Sequence, residues 1–507
     1  MTPIDGNAQL RSANRWADTA ILITIAAAIA FLHLVTNSRY GFHRDELQFL
    51  SDARHLDWGF VAYPPFTPFV ERVALLLFGL SLAGLRLFSV IAQAIAILVT
   101  GLMARDLGGS RLAQVATALS VGLSGLPLFE ATEFQYTSFS YFWWILVCWF
   151  TVRLLKSDDS RWCVAIGATV GLGLLTKYSV VFFIAGLLAG LALTPARRYF
   201  ASRWFWLGIA IAFLLFLPNL VWLARHDFIP YQFLQHIHAR DVSEGRAAGY
   251  WKYQFLFDIN SFAVPLWIAG LIASFRSIRY RALAWMYTVP VLLFWIGKGR
   301  FYYVAEAYPT MIALGAAAAG HWLDSRSVWL RRSLVTVFFA GLFVFGALCA
   351  SIAVPFASSG PLKQFALANN GDLREEIGWD ELVRTVAQIR DSLPPEQQAH
   401  LGITTANYGE YGAIDILGRA YGLPEPIGTT NTEWYRGYPT PPPTTLIVLG
   451  LGAEEANSLF TGCRLAGHNG NLQGIHNEES QYHPDIFVCG PPRKPWTELW
   501  KEHRDFG

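Results

Sequence analysis

An adjacent pair of carboxylates, Asp45 and Glu46, is the feature of this sequence best suited to chemistry. The pair lies within residues 40–47 (YGFHRDEL), where the first long hydrophobic stretch ends and a polar loop begins. A carboxylate placed there can take a proton from a reacting group. A large loop that merely lies on the bilayer would explain the amphipathic residues that follow, but it would not explain this adjacent pair.

The composition indicates which elements must position the pair. The chain has 507 residues, of which 53% are hydrophobic and only 15% are charged, whereas soluble domains contain about 25% charged residues. Apolar runs close to the roughly 20 residues that cross a bilayer recur from Trp16 to about Pro355. These runs predict a polytopic membrane protein, and a net charge of +2 gives no reason to expect a nucleic acid as partner.

The apolar runs predict about eleven transmembrane helices. They lie near residues 17–36, 84–104, 112–129, 135–154, 162–176, 179–194, 204–223, 259–275, 282–297, 305–323 and 333–354. With a cytoplasmic N-terminus, every predicted inner loop carries two or three cations, for example Arg11 with Arg15 and Arg105 with Arg111. This is the positive-inside pattern, and it places Asp45 and the C-terminus outside.

Two domains are predicted. Residues 1–356 form the membrane domain, whose first outer loop over 37–83 contains two interfacial amphipathic helices, near 46–58 and 68–78. Residues 357–507 are polar and form a small α/β domain outside the membrane, with helices near 379–393, 409–421 and 453–460 and strands over 401–404, 445–449 and 486–489. Cys463 and Cys489 share this domain, and a disulfide between them is plausible in an oxidising compartment.

Five stretches taken in order resemble the glycosyltransferase family 39-like membrane proteins, which are relatives of the protein O-mannosyltransferases and the lipid A aminoarabinose transferases. The first is residues 40–47, followed by Trp58-Gly59-Phe60 and Tyr63-Pro64-Pro65. The others are residues 129–134 (FEATEF), 173–178 (GLLTKY), 218–222 (PNLVW) and 298–309 (KGRFYYVAEAYP). Each stretch is short, but their order and their predicted placement on the outer side make the resemblance specific over roughly residues 15–355.

The resemblance implies a GT-C fold and the transfer of a hexosyl or pentosyl unit from a polyprenyl-phosphate donor, with inversion, at the outer face. Asp45 matches the first acid of the family's Asp-Glu motif and is therefore the implied general base, with Glu46 in support. A base is required because the acceptor hydroxyl loses its proton as it attacks the anomeric carbon. Since nucleotide sugars are absent outside the cytoplasm, the activated sugar must arrive on a lipid.

A departing polyprenyl phosphate needs positive charge, and cations on the predicted outer turns are sparse. Lys177, Lys298 and Arg300 are assigned to the phosphate, and Tyr302 and Tyr303 could donate hydrogen bonds to its oxygens. The alternative is that the cations snorkel from helix ends to the interface and that the tyrosines belong to the aromatic belt of the membrane.

Glu130 and Glu133 lie three residues apart, so they share one face if the segment is helical. With Glu46 they could orient the acceptor, assist the base or bind a divalent cation through oxygen ligands. The resemblance does not decide between the two residues, and the alternative is that both are solvated loop acids. A metal requirement therefore stays open.

Two other functional classes are compatible with a membrane protein of this kind. One is a flippase or transporter of the lipid-linked sugar, but the predicted spans carry few charges and show no internal repeat. The other is a membrane-anchored binding protein that acts through residues 357–507, where no ligand motif stands out. The expected partners are the polyprenyl-phosphate sugar, a lipid, glycan or protein acceptor, and membrane lipids. The expected location is a bacterial inner membrane, with the C-terminal domain periplasmic or extracellular.

Overall fold

The computed structural model describes the secondary structure of residues 4–507 and the side chains of residues 15–507. Arg11, counted above among the inner cations, lies outside the described side chains. The chain divides into two compact units. The first unit comprises Met1–Asn37, Arg86–Trp222 and His238–Val354, and the second comprises Ser38–Leu85, Leu223–Ile237 and Pro355–Gly507.

The part of the chain before Pro355 is helical. Its α-helices are α1 (Ile4–Thr36), α2 (Arg44–Arg54), α3 (Phe66–Phe78), α4 (Leu82–Asp106), α5 (Arg111–Gly122), α6 (Gly125–Glu130), α7 (Tyr136–Ser157), α8 (Trp162–Leu174), α9 (Val180–Ala192), α10 (Arg203–Arg225), α11 (Ile229–Ser243), α12 (Tyr250–Tyr253), α13 (Val264–Arg276), α14 (Arg281–Ile296), α15 (Tyr308–Asp324) and α16 (Val328–Ala353). Shorter helical turns cover Pro195–Ala201, Gln254–Asp258, Ser261–Ala263 and Phe301–Ala307.

Several of these helices are long and apolar enough to cross a membrane. Within residues 15–507 there are five, namely α1 from Arg15 onward, α4, α7, α10 and α16. The number becomes seven if each of two bent pairs, Val180–Ala192 with Pro195–Ala201 and Tyr250–Asp258 with Ser261–Arg276, counts as one span. The structure therefore supports a polytopic membrane protein, but it does not confirm the predicted count of eleven. Several predicted spans are helices of only 12 to 17 residues, such as α5 and α15.

Glycines allow close packing of helices in the first unit. A Cβ atom added to Gly315 of α15 would lie 1.7 Å from the carbonyl oxygen of Leu266, and one added to Gly270 of α13 would lie 1.8 Å from that of Met311. Neither position tolerates a side chain, so α13 and α15 meet backbone to backbone. Such contacts between small residues are typical of helices packed within membranes.

The second unit contains the β-structure. Its strands are β1 (Leu401–Thr405), β2 (Ile427–Gly428), β3 (Thr445–Leu449), β4 (Arg464–His468) and β5 (Asp485–Cys489), in the order β2-β1-β3-β5-β4. β1 is parallel to β2 and β3, whereas β5 is antiparallel to β3 and β4. The three strands predicted from the sequence are thus confirmed, and the short β2 and the polar edge strand β4 were not predicted.

Helices of the second unit after Pro355 flank this sheet. They are α17 (Pro361–Asn369), α18 (Trp379–Asp391), α19 (Pro395–Ala399), α20 (Tyr408–Leu417), α21 (Ala453–Leu459), α22 (Glu478–Tyr482) and α23 (Trp496–Glu502), with 3-10 turns at Asp372–Arg374, Gly418–Tyr421 and Asn431–Arg436. The three predicted helices correspond to α18, α20 with the turn that follows it, and α21. Cys463 and Cys489 form a disulfide, which confirms the expected pairing.

The helix α2 packs on α20 within the second unit. A Cβ atom added to Gly412 of α20 would lie 2.6 Å from the carbonyl carbon of Leu47. Polar contacts reinforce the pair, since Ser51 donates to Asp415 at 2.8 Å and Arg54 donates to the Asp415 carbonyl at 2.7 Å. The apolar side of α2 is therefore buried against α20, rather than free to lie on the bilayer. Helix α3 differs, because Leu76 and Leu77 are largely exposed.

Candidate active site

Asp45 lies in the first turn of α2. Its backbone N–H donates to Nδ1 of His43, the N-cap residue, at 3.1 Å. A carboxylate in the first turn of a helix is stabilised in its ionised form by the helix dipole. The Asp45 side chain is 27% exposed, so a group from outside the helix can reach it.

Glu46, the second acid of the pair, has a structural role that the sequence did not indicate. Its carboxylate accepts a hydrogen bond from the His43 backbone N–H at 2.8 Å, which completes a capping box at the start of α2. The side chain is buried. Glu46 therefore fixes the turn that carries Asp45.

Tyr408 connects Asp45 to Arg44 within the second unit. The Tyr408 hydroxyl donates to Oδ1 of Asp45 at 3.0 Å and accepts a hydrogen bond from Nε of Arg44 at 2.9 Å. Burial raises the pKa of Tyr408 well above its usual range, so the hydroxyl keeps its proton and remains a donor. Tyr408 is the first residue of α20, more than 350 positions from Asp45 along the chain, and sequence reasoning missed it.

Arg44 is surrounded by carboxylates. Its Nη1 pairs with Glu478 and lies 3.6 Å from Glu479 and 3.9 Å from Glu375. Burial, together with the charge of Glu479, raises the pKa of Glu375 to about 8 although Arg44 acts in the opposite direction. Burial also raises the pKa of Glu479. Three carboxylates thus surround one guanidinium, and their combined attraction keeps Arg44 in place beside Asp45.

The other predicted residues belong to the first unit. Glu130 ends α6 and is buried. Its carboxylate accepts hydrogen bonds from Thr137 at 2.6 Å and from Ser138 at 2.9 Å, which ties it to the first turn of α7. Glu133 follows three residues later and is buried as well. Neither residue is therefore a solvated loop acid, which excludes the simplest alternative interpretation.

Lys177 lies in the turn between α8 and α9. Its Nζ lies 4.8 Å from the ring centroid of Tyr303 and 5.5 Å from that of Tyr136. Among the residues whose side chains are described, no carboxylate oxygen comes within 4.0 Å of this nitrogen to form an ion pair. The aromatic faces attract the ammonium by cation–π interaction, and the carboxylates of Glu306 and Glu130 act on it electrostatically from farther away.

Arg300 has a different environment, because Asp241 binds it. Nε and Nη2 of Arg300 donate to the two carboxylate oxygens of Asp241 at 2.7 Å and 2.6 Å, and Nη1 donates to the Tyr302 hydroxyl at 3.1 Å. Two parallel hydrogen bonds of this type are strong and geometrically specific. The rings of Tyr302 and Tyr303 are in edge contact at 4.9 Å. The structure thus brings Lys177, Arg300 and the two tyrosines into one connected cluster.

Lys298 lines a cavity of about 690 Å³ in the first unit. The same cavity is lined by Lys252 and by the indoles of Trp251 and Trp295, whose ring centroids are 5.8 Å apart. Sequence reasoning missed these three residues. A signal was present, because both lysines lie next to aromatic residues in the sequence: Lys252 directly follows Trp251, and Lys298 comes shortly before Phe301. Two ammonium groups beside large apolar surfaces suit an anionic head carrying a hydrocarbon tail.

A site for a metal ion is not evident in the geometry. Within residues 15–507, no group of three or more His, Cys, Asp or Glu side chains is arranged to hold one.

Comparisons with known proteins agree on one class of enzyme. The sequence profile of the dolichyl-phosphate-mannose-protein mannosyltransferases matches residues 62–222. The lipid A galacturonosyltransferase RgtD of Rhizobium johnstonii is 27% identical over 389 residues, which cover 73% of this chain and 77% of that protein.

Two solved structures share the fold. One is ArnT from Cupriavidus metallidurans bound to undecaprenyl phosphate, with a TM-score of 0.58 and 15% identity over 94% of this chain and 98% of that one. The other is the archaeal oligosaccharyltransferase AglB from Archaeoglobus fulgidus, in complex with an inhibitory peptide and a dolichol-phosphate. Its TM-score is 0.53 at 12% identity, and the alignment covers 87% of this chain and 70% of AglB. At these identities the likeness establishes the fold.

Proposed function

We propose that this chain transfers a sugar from a polyprenyl-phosphate donor to an acceptor hydroxyl at the outer face of the membrane, because the proteins that it resembles in sequence and in fold are membrane glycosyltransferases. The observation that carries the proposal is the environment of Asp45. This carboxylate begins a helix, is 27% exposed and accepts the hydrogen bond of Tyr408. Such a group is oriented and accessible, as a general base must be.

The reaction is a single displacement. The acceptor oxygen forms a bond to the anomeric carbon as the bond from that carbon to the phosphate oxygen breaks, and polyprenyl phosphate leaves with the electron pair. The acceptor proton passes to Asp45 and then to water. Attack opposite to the leaving group inverts the configuration at the anomeric carbon. Tyr408 and Arg44 keep the Asp45 carboxylate in position, and Glu46 keeps the helix start in place.

The departing phosphate gains negative charge, which cations must stabilise. Lys177 is the principal candidate because its ammonium group lies against aromatic rings and forms no ion pair within 4.0 Å among the described side chains. Lys298 and Lys252 are suited to the phosphate and the adjacent polyprenyl chain, since the cavity that they line also carries Trp251 and Trp295. Arg300 acts with Tyr302 and Tyr303 to support this cluster rather than as a free cation. Glu130 and Glu133 are proposed to orient the acceptor.

Lipid A and a galacturonosyl donor are the first substrates to test, because the curated relative RgtD is named for that transfer. The chain shares 27% identity with that enzyme over most of both lengths, which supports a lipid acceptor more than a protein acceptor. ArnT, whose structure contains undecaprenyl phosphate, supports a polyprenyl carrier for the donor.

We also propose that the protein lies in a bacterial inner membrane, with the N-terminus in the cytoplasm and the region after Pro355 outside it. The cations of the predicted inner loops support this orientation. The disulfide between Cys463 and Cys489 supports it independently, because disulfides persist in oxidising compartments. Labelling single introduced cysteines with a membrane-impermeant maleimide in intact cells tests the orientation.

The test of the transfer uses the purified protein in nanodiscs, a panel of radiolabelled polyprenyl-phosphate sugars, and lipid A as acceptor. Wild type is compared with Asp45→Asn, and Asp57→Asn serves as the matched control because Asp57 is an exposed acid of the same loop. We expect product from wild type and Asp57→Asn and a loss of at least about a thousandfold in Asp45→Asn.

The outcomes distinguish the proposal from the other functions. Equal transfer by wild type and Asp45→Asn would exclude Asp45 as the base. Movement of labelled donor across the bilayer without a covalent product would identify a flippase. If the folded protein forms no product and moves no donor across the bilayer, the result would favour a binding role for the second unit.

A further inference from the structure

Lys177 lies against two aromatic rings that belong to different elements of the first unit. Its Nζ is 5.5 Å from the ring centroid of Tyr136, the first residue of α7. The same atom is 4.8 Å from the ring centroid of Tyr303, in the 3-10 turn Phe301–Ala307. This turn packs on α7, so the ammonium group lies where the two elements meet.

Each of these two elements carries a second polar side chain on the face that Lys177 contacts. Ser140 follows Tyr136 by four residues on α7, and residues four apart on an α-helix share a face. Glu306 follows Tyr303 by three residues, which aligns their side chains in a 3-10 turn. The Ser140 hydroxyl donates to Oε2 of Glu306 at 2.9 Å. The geometry therefore places the Glu306 carboxylate on the same side of the turn as the ring that lies against Lys177.

Glu306 is an acid that the proposed reaction does not yet use. Its side chain is only 6% exposed, and a buried ionised carboxylate needs a compensating positive charge. Lys177 is the cation whose charge acts on Glu306, and Glu306 is the carboxylate that acts most strongly on Lys177. The two residues are thus electrostatic partners, although no direct ion pair within 4.0 Å joins them.

Besides the two tyrosines, three charged groups act on Lys177. Glu306 and, more weakly, Glu130 at the end of α6 attract the ammonium, whereas Arg300 repels it. Burial lowers the pKa of Lys177, and the charges of the two carboxylates oppose this change. A neutral amine does not stabilise a phosphate. The ability of Lys177 to bind an anion therefore depends on the carboxylates near it.

We propose that Glu306 is a positioning residue of this site, whose carboxylate keeps Lys177 protonated until the donor phosphate binds. The step rests on the proposed function, in which Lys177 stabilises the departing phosphate. A carboxylate in direct contact would compete with the phosphate, as Asp241 does when it accepts two hydrogen bonds from Arg300. Glu306 supplies the same charge from farther away and takes no hydrogen bond from the ammonium.

The test uses Glu306→Gln, because the amide keeps the size of the side chain and its oxygen can still accept from Ser140. The value of kcat/KM for the polyprenyl-phosphate donor is measured from pH 6 to pH 10. The donor is a phosphodiester of constant charge over this range, so the fall of kcat/KM at high pH measures proton loss from the free enzyme. We expect this fall to begin at least about one pH unit lower in Glu306→Gln. The variant should be about tenfold slower on the alkaline limb and within about twofold of wild type at pH 6.

Three further variants separate this effect from structural damage. Glu306→Asp keeps the charge and should move the alkaline limb by less than half as much as Glu306→Gln. In a Lys177→Arg background the guanidinium stays charged at every pH used, so adding Glu306→Gln should no longer move the limb. Asp324→Asn removes an acid of the same unit whose side chain is 66% exposed, and it should follow wild type.

The protonation of Lys177 can also be measured without turnover. The full-length protein in nanodiscs is labelled with lysine that carries 13C at Cε, and the Lys177 signal is the one missing from Lys177→Arg. The spectrum is simple because the chain has seven lysines, Lys156, Lys177, Lys252, Lys298, Lys363, Lys494 and Lys501. The midpoint of the Lys177 titration should fall by at least about one pH unit in Glu306→Gln.

The outcomes decide the role of Glu306 separately from the proposed function. A loss of kcat/KM in Glu306→Gln that is equal at every pH, or an unchanged Lys177 midpoint, would overturn the role. If Glu306→Gln does not fold, the midpoints of wild type and Glu306→Asp provide the same test, and equal values would overturn the role. If the midpoint falls as expected but wild type forms no product with any donor, the coupling stands and the proposed function fails.

Discussion

The Tyr408 hydroxyl donates a hydrogen bond to the Asp45 carboxylate at 3.0 Å, and these residues come from helices at opposite ends of the sequence. The carboxylate proposed as the base is therefore positioned by a residue from the region after Pro355. The arrangement also explains why α2 is buried against α20 instead of lying on the bilayer.

Tyr408→Phe removes this hydrogen bond and leaves the ring in place. We expect kcat to fall about ten- to a hundredfold, because a hydrogen bond to a charged group contributes roughly 1.5–3 kcal/mol, while the acceptor KM changes little. Tyr482→Phe is the control, since Tyr482 is 65% exposed. Steady-state transfer assays measure both. An unchanged kcat in Tyr408→Phe would show that Asp45 does not need this partner.

Lys177 and Arg300 are predicted to respond differently to removal of their charge. Lys177→Met should lower kcat/KM for the donor at least about a hundredfold and change the melting temperature less than Arg300→Gln does, because the ammonium lies against Tyr136 and Tyr303 without a carboxylate oxygen within 4.0 Å among the described side chains. Arg300→Gln should lower the melting temperature, because the buried Asp241 would lose its two short hydrogen bonds to Arg300 and keep a longer ion pair with Arg246 at 3.5 Å.

A double-variant cycle tests the second half of this prediction. Asp241→Asn should restore much of the thermal stability that Arg300→Gln loses, since a buried charge that Arg246 compensates only at 3.5 Å disappears. Melting temperatures of the wild type, the two single variants and the double variant give the coupling between the residues. Additive losses of stability would contradict the structural role assigned to Arg300.

The stability of the second unit should depend on pH through two buried acids. Burial raises the pKa of Glu375 and of Glu433 from 4.5 to about 8. Between these two values the folded protein keeps each proton and the unfolded chain releases it, so unfolding becomes easier as pH rises. The stabilisation is complete below about pH 4.5 and is lost as pH passes about 8.

The measurement is a series of thermal melts from pH 5 to pH 9. The melting temperature of wild type should fall over this range, and Glu375→Gln and Glu433→Gln should each make the fall less steep, because a neutral amide takes the place of the protonated acid. Glu396→Gln, at an exposed position on α19, should follow wild type. A melting temperature that rises with pH in wild type would contradict the prediction.

The sequence indicated the membrane class, the Asp45-Glu46 pair and three of the five strands, since hydropathy and local pattern decide these features. The number of spans was harder to predict. A buried apolar helix such as α15 has the composition of a transmembrane helix, but its 17 residues place it at the lower limit of the length required. Strand β4 contains too few apolar residues to stand out, because an edge strand has only one neighbour to pack against.

Partners distant in sequence could not be predicted. Nothing near Tyr408 marks it as the donor to Asp45, and nothing near Asp241 marks it as the residue that accepts two hydrogen bonds from the Arg300 guanidinium. The sequence assigned Arg300 and Lys177 the same role because both are isolated cations on predicted outer turns. Their difference comes from the folded surroundings, because a carboxylate binds Arg300 at hydrogen-bond distance whereas Lys177 lies against aromatic rings.

The close packing of α13 and α15 gives a prediction that does not depend on the proposed activity. Gly315→Ala should destabilise the protein by at least about 2 kcal/mol, because the new Cβ would lie 1.7 Å from the Leu266 carbonyl oxygen and would force the helices apart. Gly320→Ala, on the same helix, is the matched control, since its Cβ would meet only Ser110 at 3.8 Å. There the higher helix propensity of alanine should maintain or raise stability. Thermal melts of the two variants in one nanodisc preparation compare them directly, and equal melting temperatures would show that α13 and α15 are not in backbone contact at this position.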